Sequence, residues 1–213
     1  MCLFVRALFV IGVAFGLGMP IAGAASGPPP GQMLGQMWQD VLTLPTADNP
    51  FSGGSPCLYY NGIASVFGPN TDGASCPVHQ GARLFIAGYS SECSTVEEPP
   101  YSPPGDNDNE ASLRACAQAA DDGFNTPTVL LDGQPVPLSR VTSPLIKANL
   151  PPDNVFGTSV PVAYSVADGW VAEALRLPIG AHTIVVTVSG TDPFGNPVDT
   201  VATNTVIITA GHP

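Results

Sequence analysis

The sequence predicts a mainly β protein: a single disulfide-stapled antiparallel β-sandwich, jelly-roll or immunoglobulin-like, with one or two short helices. From residue 126 onward, short runs that alternate apolar and polar residues are separated by turn residues. This pattern is typical of sandwiches and barrels. Four cysteines lie between residues 57 and 116, an even number that suits two structural disulfides.

The N-terminus predicts export from the cytoplasm. Arg6 precedes an apolar run from Ala7 to Leu17, and small residues follow at 22–25. A basic start, a short apolar run and an A-x-A-like site are typical of a signal peptide. We therefore assign residues 1–25 to a signal peptide and expect a secreted, extracellular protein. The run is too short to span a bilayer comfortably, so we expect no membrane span after cleavage.

The rest of the chain is predicted to be a short spacer followed by one domain. Residues 26–31 are rich in proline, as in extended spacers. Residues 32–213 are then long enough to form a single β-sandwich domain with a real core.

Two helices are predicted from apolar residues at helical spacing. The first covers 31–44, with one apolar side formed by Met33, Met37, Trp38 and Val41. The second covers 110–121, with a stripe formed by Leu113, Cys116, Ala117 and Ala120. Asn107 stands three residues before Glu110, a spacing that resembles a capping box at the start of this helix.

The C-terminal half predicts the strands. "TPTVLLDGQPV" gives two short strands about a turn at Asp132-Gly133, and residues 192–197 form a hairpin loop. "PVDTVATNTVIIT" is either a strand pair or one long bent strand. His182 precedes the run "TIVVTV", so we interpret it as a strand-edge residue rather than a catalytic base.

The four cysteines outside the signal peptide allow three pairings. We favour Cys57–Cys76 and Cys93–Cys116, because each bond closes a local loop rich in proline and glycine. Zinc thiolates are not favoured, since no C-x-x-C spacing exists and the nearest histidine, His79, stands alone.

The charge balance restricts the class of partner. The chain has 6 basic and 17 acidic residues and a net charge of −11. Binding to nucleic acid needs clustered positive charge, which the scattered arginines and single lysine do not supply. We therefore exclude nucleic-acid partners.

Several segments, in order, resemble a family of exported bacterial proteins of undefined activity. The family's motifs are a W-x-x-x-L-x-x-P-x-x-x-N-P beginning, a strand after a cysteine, an E-C-S segment, a helix with a cysteine and a D-G-(W/Y)…L-P-x-G-x-H-T-I ending. In this chain the matching residues are Trp38, Pro45, Asn49, Pro50, Cys76, Gly81, Glu92, Cys93, Cys116, Trp170 and His182. The resemblance implies export and a β-sandwich and brings no catalytic residues. The chain departs from the family between Cys57 and Cys76, where a Gly- and Gln-rich strand with a tryptophan is usual.

A cluster of acidic residues lies between Glu92 and Glu110 and predicts either a calcium site or a solvated loop. Calcium binds carboxylate and carbonyl oxygens, and the candidate ligands are Glu92, Glu97, Asp106, Asp108 and Glu110. An EF-hand is excluded, because alanines stand at the glycine and bidentate glutamate positions. The favoured alternative is a solvated loop whose acids stabilise the start of the second helix. Apart from calcium, no cofactor is expected.

No catalytic motif is present, so two hypotheses on function remain open. The first is a non-enzymatic protein that binds a carbohydrate or a cell-envelope ligand, with Glu92, Glu97, Asp168 and Trp170 as binding residues. Trp170 is either a plug of the core, which we favour, or an exposed platform for a sugar. The alternative is a secreted hydrolase that uses carboxylates of the 92–110 region, for instance Glu92 with Glu97 or Asp168.

Overall fold

A computed structural model of the chain describes residues 27–68, 71–103, 109–172 and 175–210. The predicted signal peptide, and the candidate calcium ligands Asp106 and Asp108, lie outside these ranges. Within them the fold is mainly β, which confirms the predicted class, and two α-helices cover the sheets. None of the described helices is long and apolar enough to cross a membrane.

Twelve strands are present in the described residues, in three sheets. The strands are β1 (Cys57–Tyr60), β2 (Ile63–Val66), β3 (Ser75–His79), β4 (Arg83–Leu84), β5 (Ala87–Ser94), β6 (Thr128–Leu131), β7 (Gln134–Pro135), β8 (Ser139–Thr142), β9 (Ile146–Asn149), β10 (Val162–Val171), β11 (Gly180–Thr191) and β12 (Pro197–Thr209). The first sheet has the order β1-β2-β4, the second β5-β10-β8 with β9 also on β10, and the third β3-β12-β11-β6-β7.

The sheets are more divided than a two-sheet antiparallel sandwich, and two strand pairs are parallel. β3 runs parallel to β12, and β2 runs parallel to β4. The prediction of purely antiparallel pairing is therefore wrong at these two places. Alternating polarity shows which residues face a core but not which strand lies alongside, and β3 and β12 are far apart in the chain.

The predicted hairpins are present. Asp132 and Gly133 have φ angles of 51° and 76°, the left-handed conformation that a two-residue hairpin needs between β6 and β7. Asp192 accepts hydrogen bonds from the backbone of Phe194 and Asn196 and closes the loop between β11 and β12. Residues 197–209 form one long strand, which settles the alternative left open by the sequence.

The first helix, α1 (Pro30–Thr43), buries its predicted apolar side. It begins inside the predicted 26–31 spacer, because proline suits the first turn, where its missing N–H needs no partner. The helix packs on the first and second sheets, and the largest core joins it to them through residues such as Met37, Tyr60 and Ala167.

The second helix, α2 (Glu110–Asp121), covers the other face of the second sheet. Its N-cap is Asn109, whose side chain accepts a hydrogen bond from the Ser112 N–H at 3.0 Å. Ser112, not Glu110, is thus the third helical residue, and the capping box expected from Asn107 is wrong because the helix begins at Glu110.

Both disulfides have the pairing that the sequence favours. Cys57 is bonded to Cys76, which ties β1 to β3, and Cys93 is bonded to Cys116, which ties β5 to α2. Cys93 and Cys116 are buried with Leu113, Ala117 and Val166, so the second bond lies inside the contact between α2 and its sheet.

Candidate functional site

A cleft of about 620 Å³ lies between β5 and the face of the β11–β12 hairpin. We call it the Glu92–Glu97 cleft, after the two acidic residues that line it. Its aromatic lining residues are Trp38, Phe51, Phe67, Tyr89, Tyr101 and Phe156. The face of β12 that buries Val206 and Ile208 in a core continues into the cleft through Val198, Ala202 and Asn204. The β11–β12 hairpin therefore extends beyond the sheet that covers it, and the cleft continues the core along this uncovered part.

The aromatic wall of the cleft is held in a fixed arrangement. The Trp38 ring stacks on Phe51 with centroids 5.8 Å apart and meets Phe67 edge-on at 5.1 Å. Its indole N–H donates a hydrogen bond to the Ser90 hydroxyl at 3.1 Å, which ties α1 to β5. Rings fixed in this way present apolar surface without losing side-chain freedom when a ligand binds.

Glu92 and Glu97 form the polar end of the cleft. Glu92 is only 4% exposed, and its carboxyl accepts a hydrogen bond from the Ser165 hydroxyl. The Ser94 hydroxyl donates to Glu97 at 2.9 Å. The two carboxyl groups also hydrogen-bond each other.

Burial makes this carboxyl pair retain protons. Burial, and then the neighbouring charge of Glu97, raise the pKa of Glu92 well above its usual value. Burial also raises the pKa of Glu97, but hydrogen bonds from Glu92 and Ser94 offset part of that effect. The protonated Glu92 therefore donates to Glu97, as expected when two carboxyl groups share a site of low polarity. The pair can bind a cationic group or exchange a proton with a ligand.

The structure does not bring Asp168 and Trp170 to this cleft. Glu92 is aligned with Ala167 of β10, on the face that α1 covers, so Asp168 and Trp170 point to the opposite face. The guanidinium Nε of Arg140 donates to Asp168 at 2.5 Å, and the Thr142 hydroxyl donates at 2.6 Å. Arg140 also lies over the Trp170 ring at 4.9 Å, and Trp170 is 7% exposed. Trp170 is therefore buried, in agreement with the favoured interpretation as a plug of the core rather than an exposed platform for a sugar.

The acidic segment does not form the predicted calcium site in the part of the chain that is described. Glu110 lies on α2, where it is exposed and pairs with Arg114 at 2.7 Å. Glu92 and Glu97 lie on the other side of β5, so Glu110 does not join them. The described residues contain no group of three or more His, Cys, Asp or Glu side chains that could hold a metal ion. The alternative of a fully solvated loop is also wrong for Glu92, which is buried because β5 places it against α1.

His182 makes structural contacts near the start of β11. Its Nδ1 lies 2.7 Å from an Asp132 oxygen, and its Nε2 lies 3.0 Å from the Pro178 carbonyl oxygen. The hydrogen bond to Asp132 raises the pKa of His182. These contacts tie the β6–β7 turn to β11, in agreement with its interpretation as a strand-edge residue.

Sequence reasoning missed most of the cleft. Trp38 was expected only in the core, and Asn204 was not singled out. Asn204 is 3% exposed, and its side-chain carbonyl oxygen has no hydrogen-bond partner among the described residues. An asparagine on the apolar side of an alternating strand was the one available signal, because buried amides need partners.

Comparisons with known proteins add little to this geometry. No family model and no curated protein matches the chain, so the resemblance to exported bacterial proteins stays a prediction. Among solved structures, a cysteine protease inhibitor from Entamoeba histolytica is similar over 69% of this chain and 93% of its own. Its sequence identity is 12% and its TM-score 0.24, a likeness too low to support an argument.

Proposed function

We propose that the protein is an exported, non-enzymatic binding protein that takes a cell-envelope ligand in the Glu92–Glu97 cleft. The observation that carries this proposal is an apolar cleft that ends at a buried carboxyl pair. Binding sites of this kind combine mostly apolar walls with a few polar groups that fix orientation. The prediction of secretion is consistent with the two disulfides, since such bonds persist in oxidising compartments.

Between the two ligand classes that the sequence suggested, the geometry favours a cell-envelope component that carries apolar groups over a free sugar. Sugar binding by stacking needs an exposed aromatic face, and Trp170 is buried beneath Arg140. Tyr59 is exposed, but its hydroxyl is engaged with the Pro77 carbonyl oxygen at 2.5 Å. The aromatic groups that converge are those of the cleft, whose walls are mostly apolar and whose polar groups gather around Glu92 and Glu97.

Filling the cleft should weaken binding of an apolar probe. Ala202 lines the cleft, so we expect Ala202→Phe to weaken binding of the neutral dye N-phenyl-1-naphthylamine by about tenfold or more, equivalent to roughly 1.4 kcal/mol. The measurement is a fluorescence titration of the purified protein. Ala181→Phe is the matched control, because Ala181 is exposed on the other face of β11 and should leave dye binding unchanged. Equal affinity in all three proteins would place dye binding elsewhere and remove the support for this site.

The hydrolase alternative is favoured by one observation, the contact between the Glu92 and Glu97 carboxyl groups. Glycosidases keep their two carboxyls about 5 Å apart or more, so hydrogen-bonded carboxyls do not fit that chemistry. They fit a dyad that shares a proton and activates a water, as in acid proteases. This alternative predicts turnover of casein or of chromogenic esters that is lost in Glu92→Gln and kept in Glu98→Gln, whose residue is exposed. Turnover of chromogenic glycosides instead would contradict the geometric argument.

A further inference from the structure

Among the described residues, no backbone partner is found for several groups on the edge of β5 that faces the cleft. β5 pairs with β10 only, among the strands described. The Thr95 N–H donates to Tyr164 of β10 at the end of this ladder, while the Ser94 N–H donates away from it to Tyr101 at 3.1 Å. Because pairing alternates along an antiparallel ladder, the N–H and C=O groups of Ser90 and Glu92 also point away from β10. Both residues line the cleft.

These groups are unusual for an edge strand, because the residues that carry them are buried. Ser90 and Glu92 belong to the buried polar residues of the protein, enclosed by α1 on one side and the β11–β12 hairpin on the other. A buried backbone polar group without a partner is costly, so nearly all such groups are paired in native proteins. Two residues beyond Glu92 on the same edge, the Ser94 N–H is already paired with the Tyr101 carbonyl oxygen. The cleft begins where that pairing stops.

Two further features describe what the cleft can hold. The unpartnered carbonyl oxygen of Asn204 belongs to β12, on the wall opposite β5. The described residues that line the cleft include no lysine, arginine or histidine, whereas Glu92 and Glu97 both line it. An apolar small molecule would leave the four backbone groups of Ser90 and Glu92 unpaired. An extended peptide would satisfy them with its own backbone.

We propose that the Glu92–Glu97 cleft binds an extended peptide, which adds as a strand to the free edge of β5 and places a lysine or arginine side chain against the carboxyl pair. This inference rests on the proposed function and names its ligand class. The peptide backbone pairs with Ser90 and Glu92. Its alternate apolar side chains pack on the aromatic wall of the cleft, around Trp38. Its cation takes the position of the shared proton between Glu92 and Glu97.

The first experiment identifies the peptide chemistry. Fluorescein-labelled heptapeptides, randomised around a fixed central lysine, arginine, norleucine or glutamate, are titrated with the purified protein by fluorescence polarisation. We expect the lysine and arginine pools to bind at least about tenfold more tightly than the norleucine and glutamate pools, since a buried charge pair contributes on this scale. If no pool binds more tightly to the protein than to the Ala202→Phe variant, the inference is wrong.

The second experiment tests strand addition without altering the protein. The tightest lysine peptide is synthesised with N-methyl groups on alternate residues, in the two phases that alternation allows. A strand added to β5 directs only one phase of N–H groups at Ser90 and Glu92. We therefore expect one analogue to lose about tenfold or more in affinity and the other to retain it. Two analogues of equal affinity would contradict strand addition.

The third experiment tests the position of the cation. Glu97→Gln should weaken the lysine peptide and leave its norleucine counterpart unchanged, while Glu98→Gln, at the exposed neighbouring position, should alter neither. Binding of N-phenyl-1-naphthylamine is measured in parallel. Dye binding that depends on Ala202, together with no peptide binding, would refute the peptide and keep the proposed function. If neither Ala202-dependent dye binding nor peptide binding is observed, both the proposed function and the peptide inference are refuted.

Discussion

Removing the Cys93–Cys116 bond should lower the free energy of unfolding by about 3 kcal/mol. The bond closes a loop with a sequence separation of 23, and the loss of its constraint on the unfolded chain accounts for a change of this size. Cys93 is fully buried, so Cys93→Ala/Cys116→Ala also leaves unfilled space under α2. Urea unfolding at pH 7, followed by tryptophan fluorescence, measures the change.

The same substitution should also lower the affinity of the cleft for its ligand. Glu97 and Tyr101 lie in the loop that the bond closes, and both line the cleft. We expect the Cys93→Ala/Cys116→Ala variant to bind N-phenyl-1-naphthylamine several-fold less tightly while still folded. Leu84→Ala is the matched control: Leu84 is buried in another core cluster and does not line the cleft, so its truncation should cost a similar amount, about 2–5 kcal/mol, but leave dye binding unchanged. Equal loss of dye binding in both variants would mean that the effect comes from general loosening.

Local features of the fold could be predicted because short-range physics decides them. Helical spacing in 31–44 and 110–121 has few alternative interpretations, and an Asp-Gly turn between two apolar runs requires the left-handed backbone seen at Asp132. The pairing Cys93–Cys116 also follows from the chain itself, since both cysteines bracket one loop. Long-range pairing is different. Nothing in "SCPVH" indicates that it lies parallel to the last strand.

The candidate site was only half predictable for the same reason. The four described acids of this segment, Glu92, Glu97, Glu98 and Glu110, take three different environments, because they lie on a strand, in the loop after it and on a helix. Glu92 faces α1, Glu98 is exposed, and Glu110 lies on a helix behind the sheet. Ala167 lies opposite Glu92 in the ladder, and Asp168 is the next residue along β10. The Asp168 side chain therefore points to the other face of the sheet and belongs to another cluster. A register of one residue decides which acids meet, and the sequence does not specify that register.

Asp121, at the end of α2, should make the protein less stable as the pH rises. Its side chain is fully buried, and neither carboxylate oxygen has a hydrogen bond of normal geometry among the described residues. Burial raises the pKa of Asp121 to about 7, and the nearby Asp168 acts in the same direction. Ser91 and Arg140 offset only part of this, so the charged form remains poorly accommodated.

The sign of the effect follows from proton linkage. The folded protein holds the Asp121 proton up to about pH 7, whereas the unfolded chain releases it near the ordinary value of 3.8. Between those values the folded state binds more protons, so stability falls as the pH rises. Between pH 5 and 8 we expect a loss on the order of 2–3 kcal/mol from this residue. The raised pKa of His182 contributes in the same direction, since the stability it provides is lost as the pH rises through its folded pKa.

Asp121→Asn isolates the contribution of this carboxyl group, because it removes the titration and keeps the size of the side chain. Urea unfolding from pH 5 to 8 should show a loss of stability smaller by about 2–3 kcal/mol for this variant than for the natural protein, and greater stability at pH 8. The slope that remains comes from His182 and the Glu92–Glu97 pair, whose pKa values are also raised. The Asp199→Asn variant, at an exposed position on β12, should keep the natural slope. A slope unchanged in Asp121→Asn would show that this carboxyl group is ionised in the folded protein at pH 5. Water or a residue outside the described ranges would then have to reach it.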